Sequence, residues 1–303
     1  MHTRPFRFGV SGGPQTLSEL RHFARRIEDL GFATWLIADH FGPQMAPAPA
    51  MVFVATATSR LRVGTFVYDN DFRHPALLAK EVATVDALTG GRFEFGLGAG
   101  WNPLDYERTG IAFDPPRARV DRFAQTVDIV RAYLSQDEVT FTGADFRIQR
   151  LPSGPKPVQP RIPLMIGASG RRMLRLAAQH ADIVSLQTVG GIDAHADHVA
   201  GVERKLADLR AFAGARFDAI ELNISLDVVE RTDDVDSAAD RFAAKRNTTR
   251  DGALRSPWAL FGTPEAMAEQ LVERRERFGI SYPVIMARDL EAFAPVVSRL
   301  AGT

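Results

Sequence analysis

The chain has 303 residues, 45% of them apolar, enough for one large domain or two ordinary ones. Lys plus Arg (37) equals Asp plus Glu (37), so no net field draws nucleic acid or an anionic membrane, and recognition has to be local. There is no cysteine, which excludes disulfide frameworks, thiolate zinc sites, iron–sulfur clusters and cysteine nucleophiles; redox chemistry would need a cofactor.

In chain order, "MHTRPFRFGV" contains no apolar stretch of signal-peptide length. No later segment approaches about 18 apolar residues, so the expectation is a cytoplasmic protein outside any membrane. "FRFGVS" (6–11) reads as the first strand, stopped by Gly12-Gly13-Pro14, and Leu17, Leu20, Phe23, Ile27 and Leu30 then recur at helical spacing up to Gly31. "ATWLIADHF" is the second strand, followed by a Pro-punctuated stretch (42–49) and a short helix near 50–59. "LRVGTFVYD" is the third, followed by a helix through Leu77, Leu78, Val82, Val85 and Leu88 that Gly90-Gly91 ends. "RFEFGLG" is the fourth, and Val120, Phe123, Val127, Val130 and Leu134 mark its helix.

"VTFTGADFRI" resembles a small hairpin and "LPSGPKPVQPRIP" a surface connection; both interrupt the alternation. It resumes with "PLMIGASG", a helix over about 171–180, "ADIVSL" and a helix over roughly 194–212. In "AIELNISLDVVE", Ile220, Leu222, Ile224, Leu226 and Val228 face one way, Glu221, Asn223, Ser225 and Asp227 the other. In a barrel the apolar row lies beneath the helices and the polar row points inward.

Residues 240–257, polar and weakly patterned, read as a mobile loop. "GTPEAMAEQLVERRERFGI" is a helix with Thr263 as N-cap, Pro264 in its first turn and Gly279 at its end; "YPVIM" and a helix from Leu290 to Leu300 close the chain. Eight strands in strand–helix order predict a single (β/α)8 TIM barrel spanning 1–303, with insertions near 137–162 and 240–257, against a doubly wound open sheet as the rival.

Several short motifs bear on chemistry. "GLGAGWN" places Gly96, Gly98 and Gly100 on alternate positions, but a dinucleotide fingerprint needs glycine where Trp101 stands and a helix immediately after, which the pattern does not predict. The bare face serves either tight packing inside the barrel or a flat ring. We assign packing to Gly96, and room beside a ring to Gly98 and Gly100. "ADHF" puts Asp39 and His40 at the C-terminal end of the second strand, where barrel enzymes hold catalytic groups; a purely structural His40 is the plainer reading.

"IGASGRR" joins small residues to arginines at a helix start, which suits a phosphate better than an ordinary turn does. "GVSGG" matches G-x-S-x-G, making a hydrolase with Ser11 as nucleophile the rival from another class, though Ser11 ends the first strand instead of sitting on a mid-chain elbow. His195 and His198 have a spacing that could hold a metal, but with Asp193 and Asp197 beside them they read as a solvated helix face, and no metal site is expected. "RHP" (73–75) introduces a helix or lines the site mouth.

Taken together, "ADHFGP", "VGTFV", "DALTGGRFEFGLGAGWN", "PLMIGASG" and "LFGTPEAMAEQL" resemble, in order and spacing, the bacterial luciferase-like flavin superfamily, and most closely its branch dependent on the deazaflavin coenzyme F420. The resemblance runs from about Arg7 to the last helix. It implies a luciferase-like TIM barrel, usually a homodimer, with the cofactor's tricyclic ring across the C-terminal strand ends. By match, Thr65, Phe66 and Val67 would floor the ring, with a non-prolyl cis peptide between Phe66 and Val67. Asp39 would lie at the ring edge and His40 by the hydride-transfer carbon, with Gly98, Ala99, Gly100 and Trp101 walling the ring. Gly167, Ala168, Ser169, Gly170 and Arg171 would take the phosphate, and Gln187 would also face the cofactor.

The implied activity is hydride transfer to or from a small organic substrate, with His40, Asp39 and Trp101 as the catalytic set. The alternative is an FMN-dependent monooxygenase using reduced flavin and O2. Glucose-6-phosphate-oxidising members keep an acid where Trp101-Asn102 stands and a lysine after strand six, whereas residues 187–193 here hold neither Lys nor Arg, so a less polar substrate is expected.

Overall fold

A computed structural model of the chain describes residues 4–186 and 197–303. Eight strands form one parallel barrel: β1 (Gly9–Ser11), β2 (Thr34–Ile37), β3 (Arg62–Thr65), β5 (Phe93–Gly98), β8 (Leu164–Ala168), β9 (Ile183–Leu186), β10 (Glu221–Ser225) and β13 (Ile280–Met286). The order β3-β2-β1-β13-β10-β9-β8-β5 closes on itself where Val63 and Gly64 pair with Phe93 and Glu94. The short β4 (Tyr68–Asp69) adds to the end of β5. All eight predicted strands are found, and the open sheet is excluded.

Each barrel strand is nearly or wholly buried because it is covered by helices outside and side chains inside. Leu36, Met165, Ile183, Tyr282 and Val284 fill the interior, with Phe66 and Val67 packed onto them. The N-terminal end is plugged by charge. Glu94, 2% exposed, accepts from Arg7 (2.5 Å) and Arg62 (2.9 Å), while Arg7 also reaches Glu221 (2.7 Å) and lies over the Tyr282 ring. Burial alone would raise the Glu94 carboxyl, but the two arginines hold it below the usual carboxylate range. That end is a structural plug, and the chemistry is left to the other.

The outer helices form where the apolar spacing predicts them. α1 (Leu17–Asp29) is capped by Thr16, α2 spans Pro47–Ala57, α3 Pro75–Leu88 and α5 Pro116–Ser135. α6 spans Arg171–His180 and α7 His198–Ala213. α10 (Pro264–Phe278) has Thr263 accepting from the Ala266 N–H at its start and Gly279 at φ 80° at its end, and α11 covers Leu290–Leu300. β6 (Glu138–Thr142) and β7 (Arg147–Pro152) make the expected hairpin, followed by the Pro-rich connection with a cis Gly154–Pro155 bond.

Four expectations about elements and burial are corrected. A helix, α4 (Pro103–Thr109), does follow Trp101 almost at once: Asn102 caps it and Pro103 opens it, a start signal the apolar spacing does not carry. Residues 240–257 are not a loop but mostly helical, in α8 (Val235–Arg246) and α9 (Arg250–Leu254), capped by Asp234 and Thr249. Their buried row is Ala238, Ala239, Phe242, Ala243 and Ala253, and alanine gives the hydropathy pattern little contrast. "AIELNISLDVVE" is two strands, since after Ser225 the chain leaves the barrel as β11 (Val228–Arg231) to pair with β12 (Ala259–Gly262). His198 is buried against Trp258 and Phe242, 2.8 Å from the Ser256 hydroxyl, and not on a solvated face; His195 lies outside the described residues. No group of metal-ligating side chains occurs among the described residues, and no helix there is long and apolar enough to cross a membrane.

The alternating glycines are explained by the barrel itself. A Cβ on Gly96 would stand 2.0 Å from the Thr65 carbonyl oxygen, one on Gly98 2.7 Å from Val67 Cγ2, and one on Gly100 1.8 Å from the Tyr106 hydroxyl. All three face protein atoms, so the space assigned to a ring beside Gly98 and Gly100 is taken by Val67 and Tyr106. Gly96→Ala should therefore cost about 3 kcal/mol or more, or prevent folding, while Gly42→Ala, whose Cβ meets nothing within 4 Å, should be near neutral; urea unfolding of the two variants checks this.

Candidate functional site

The C-terminal barrel mouth is built from the ends of β2, β3 and β5. After β2, the carboxylate of Asp39, 9% exposed, receives Arg73 at 2.5 Å and the Asp69 N–H at 3.1 Å. Asp39 therefore ties the second βα loop to the third. "RHP" serves in both expected ways: Arg73 enters the site, and His74 Nδ1 caps α3 by accepting from the Ala76 N–H.

His40 faces the mouth with about a third of its side chain exposed. Its Nδ1 lies 2.6 Å from Asp105 Oδ2, and the second oxygen of Asp105 accepts from the Phe41 N–H at 3.1 Å. Asn102 Nδ2 donates to the same carboxylate at 2.8 Å. Burial pushes the Asp105 carboxyl up, yet these three donors outweigh it and hold it below the ordinary range. A carboxylate at Nδ1 fixes the imidazole with Nε2 as the working nitrogen, and Nε2 has no partner among the described residues. Trp101 meets the His40 ring edge-on, with centroids 5.5 Å apart, and is 61% exposed at the rim.

Behind this pair, the Tyr106 hydroxyl sits 3.0 Å from both oxygens of Asp69 and 3.1 Å from Asp71, whose carboxylate also pairs with Arg122. One hydroxyl proton cannot serve three carboxylate oxygens. Burial pushes Asp69 up to about 6, against the hydrogen bonds from the Asp71 N–H and Tyr106.

The cofactor set inferred from family likeness is brought partly together. The Phe66–Val67 peptide is cis, as that likeness implies. The Thr65 hydroxyl donates to the Gly96 carbonyl at 2.7 Å and accepts from the Gly96 N–H at 2.9 Å, and Thr65 is wholly buried, so its side chain is committed to the barrel. Ala99, Gly100, Ser169, Gly170 and Arg171 line one cavity of about 680 Å³. Gly170 is the N-cap of α6 and supplies no side-chain cap, so the helix presents unsatisfied N–H groups there beside Arg171. This donor set fits a phosphate. Ala168 is wholly buried and Gly167 partly so; Gln187 lies outside the described residues. Ser11 is 5% exposed at the end of β1 and hydrogen-bonds no histidine among the described residues, which removes the support for the hydrolase reading.

Sequence reasoning misses Asp105, Asp69, Tyr106 and Arg119. Arg119, 7% exposed, donates to the carbonyls of Ala99 and Gly100 and so clamps the loop that carries Trp101. Only Asp105 leaves a local trace, through its place one turn into the Asn102-Pro103 helix start.

Asp69 generates a pH prediction. Its folded pKa of about 6 exceeds the ordinary 3.8, so the folded state binds the proton more tightly than the unfolded chain. Its contribution is therefore fully present below about pH 4 and is lost as pH rises through 6. Asp69→Asn mimics the protonated group. Urea unfolding should find it more stable than the wild type at pH 7.5, by on the order of 2 kcal/mol, with the advantage shrinking as pH falls through 6 and vanishing only below about pH 4; a pH-independent difference would contradict this.

Comparison with known proteins places this geometry. Residues 2–241 match the family described as luciferase-like monooxygenase. A 5,10-methylenetetrahydromethanopterin reductase of Archaeoglobus fulgidus is 31% identical over 58% of this chain and 51% of its own length. An F420-dependent glucose-6-phosphate dehydrogenase of Kineococcus radiotolerans is 27% identical over 75% of this chain and 70% of its own, and one of Nakamurella multipartita 32% over 59% and 55%. The matched stretch thus spans between about half and seven-tenths of these relatives. Among solved structures, the coenzyme F420-dependent tetrahydromethanopterin reductase of Methanopyrus kandleri superposes with a TM-score of 0.77 at 18% identity, covering 98% of both chains. Monooxygenase RslO1 of Streptomyces bottropensis superposes with 0.75 at 20%, covering 97% of this chain and 99% of its own. With more than three quarters of its residues inside the family match and the same overall fold, the chain belongs to the luciferase-like monooxygenase family of oxidoreductases.

Proposed function

We propose that the chain is a coenzyme F420-dependent oxidoreductase that transfers a hydride between the deazaflavin C5 and a small organic substrate. The observation that carries the cofactor class is the repeated F420 dependence in the names of its relatives, and the phosphate-type donor set at the start of α6 supports it. When bound, the deazaflavin supplies the hydride chemistry and the protein supplies orientation and proton handling.

His40 holds the proton that accompanies the hydride. With Nδ1–H donating to Asp105, Nε2 is the atom left to give or accept it at the mouth. Asp39 acts through structure: with its carboxylate taken by Arg73 and the Asp69 N–H, it anchors the loop that presents His40. Trp101 gives the substrate an apolar wall in place of the acid expected of sugar-phosphate oxidisers, which argues for a less polar substrate than glucose 6-phosphate. We place the enzyme, as a homodimer, in the cytoplasm, acting on a small molecule with neither nucleic acid nor membrane as partner. The second reading, an FMN-dependent monooxygenase, draws on the monooxygenases that share this fold.

Titration of the protein with coenzyme F420 and with FMN, followed by the fluorescence of Trp35, Trp101 and Trp258, separates the two. F420 should quench at the lower concentration; tight FMN binding with no response to F420 would reverse the assignment. His40→Ala should lower kcat by about 100-fold or more and Asp105→Asn by about tenfold, with Tm little changed. Unchanged turnover in both variants would make the barrel mouth a binding site without His40 chemistry.

A further inference from the structure

α4 differs from the long outer helices in how it is attached. It buries no aliphatic side chain: Leu104 is 51% exposed, and Asp105 and Tyr106 are its two buried residues. The segment is bracketed by Gly100 and Gly110, at φ 75° and 74°, where an L side chain is strained. Arg119 pins its start at the Ala99 and Gly100 carbonyls. Beyond that pin, Asp105 holds it to His40 and the Phe41 N–H, and Tyr106 holds it to the stretch after β3. The Tyr106 ring also meets Phe72 and the exposed Phe113. With so little apolar burial, the polar contacts decide where α4 sits.

The Tyr106 contact closes only for one count of protons. Asp71 has the surroundings of an ion: its Oδ1 receives Arg122 at 2.8 Å, and its Oδ2 lies 3.1 Å from the phenolic oxygen. Asp69 receives the Asp71 N–H on Oδ1 at 2.9 Å, and its Oδ2 faces the same phenolic oxygen at 3.0 Å with no cation partner among the described residues. Whichever carboxylate takes the phenolic proton, the other meets that oxygen acceptor to acceptor unless it carries a proton itself. A proton on Asp69 satisfies every atom: Asp69 donates to the Tyr106 oxygen, Tyr106 donates to Asp71, and Arg122 balances Asp71. The other groups around Asp69 do not supply a counter-charge. Asp39, from the loop after β2, accepts its N–H and is matched by Arg73; on α5, Arg122 is divided between Asp71 and Asp114, and Arg119 is held by the adjoining Gly100 carbonyl. Burial, with the charges of Asp71 and Asp39 added, pushes Asp69 up to about 6, in the same sense.

We propose that Tyr106 is a positioning residue for His40: α4 is a flap over the barrel mouth, latched by a single proton that Asp69 and Asp71 share through the Tyr106 hydroxyl. Asp105 and Tyr106 are neighbours on one short helix, so the latch that holds Tyr106 also holds Asp105 on His40 Nδ1. The catalytic meaning rests on the hydride-transfer reading above. With the latch closed, Asp105 keeps Nδ1 and leaves Nε2 for the proton that accompanies the hydride. With it open, Asp105 and the Trp101 wall move off together. The sign follows from the linkage: a proton bound more tightly in the latched state than in the open one favours closure at low pH, and the latch weakens as pH rises through 6.

The test uses amide hydrogen exchange over residues 104–110 and 15N NMR of the His40 ring, on the intact protein without cofactor. Asp69→Asn keeps a donor toward Tyr106 at every pH. Corrected for intrinsic exchange, its protection should exceed that of the unaltered protein by a margin that widens about tenfold between pH 5 and pH 7.5; His40 is present in both, so its own protonation cancels from the comparison. Tyr106→Phe keeps the ring and removes the hydroxyl, and should lower protection already at pH 5. At pH 7.5 His40 should be the Nδ1–H tautomer in Asp69→Asn and a mixture of both tautomers in Tyr106→Phe. A margin that does not change with pH, or a Tyr106→Phe variant with the protection and the His40 tautomer of the unaltered protein, would overturn the proposal. Should Tyr106→Phe lose its fold by circular dichroism, the pH series of Asp69→Asn against the unaltered protein decides. Because neither readout involves a cofactor, a wrong cofactor assignment leaves both unchanged, and a failed latch leaves that assignment standing.

Discussion

The structure depends on how closely β3 and β5 approach one another. The Thr65 carbonyl stands where a side chain at Gly96 would begin, and the Thr65 hydroxyl exchanges two hydrogen bonds with the Gly96 backbone. This contact closes the barrel, and everything functional follows from the direction in which the two strands then leave it. β3 runs into the cis Phe66–Val67 peptide, whose side chains turn back onto the barrel interior. β5 runs into Gly98–Trp101, which Arg119 grips by its carbonyls.

From that closure a chain of polar contacts spreads across the mouth, and each link joins loops that follow different strands. Asp39 reaches Arg73 and Asp69, Asp69 shares the Tyr106 hydroxyl with Asp71, and Asp105, on the same short helix as Tyr106, holds His40. α4 thus serves two ends of the site at once. Such a network rigidifies a mouth made otherwise of loops, and rigidity at His40 is what proton transfer requires. The arginines of α5 and α6 form a separate electrostatic region beside it, joined to the first through Ala99 and Gly100.

The fold was legible because the strand–helix alternation repeats eight times and is carried by local spacing, down to the Thr263 cap and the Gly279 stop of one helix. His40 was legible from its position at a strand end. Its partner was not, because 65 residues separate His40 from Asp105 and only the folded barrel brings them together; the same holds for Asp39 with Arg73. The glycines at 98 and 100 show a different limit. Their spacing announces a close approach but not which atoms make it, and those atoms prove to belong to Val67 and Tyr106. The alanine-lined helices at 235–254 escaped because their buried face has too little hydropathy contrast to stand out from a polar segment.

On the proposed function, the mouth of this barrel holds a deazaflavin within reach of His40 Nε2. A crystal structure of the protein with coenzyme F420 tests it most directly. The account predicts the ring against Phe66–Val67, Nε2 of His40 facing it with Nδ1 still on Asp105, and the phosphate at the start of α6. A ring bound elsewhere, or His40 turned away with its Asp105 contact broken, would contradict it.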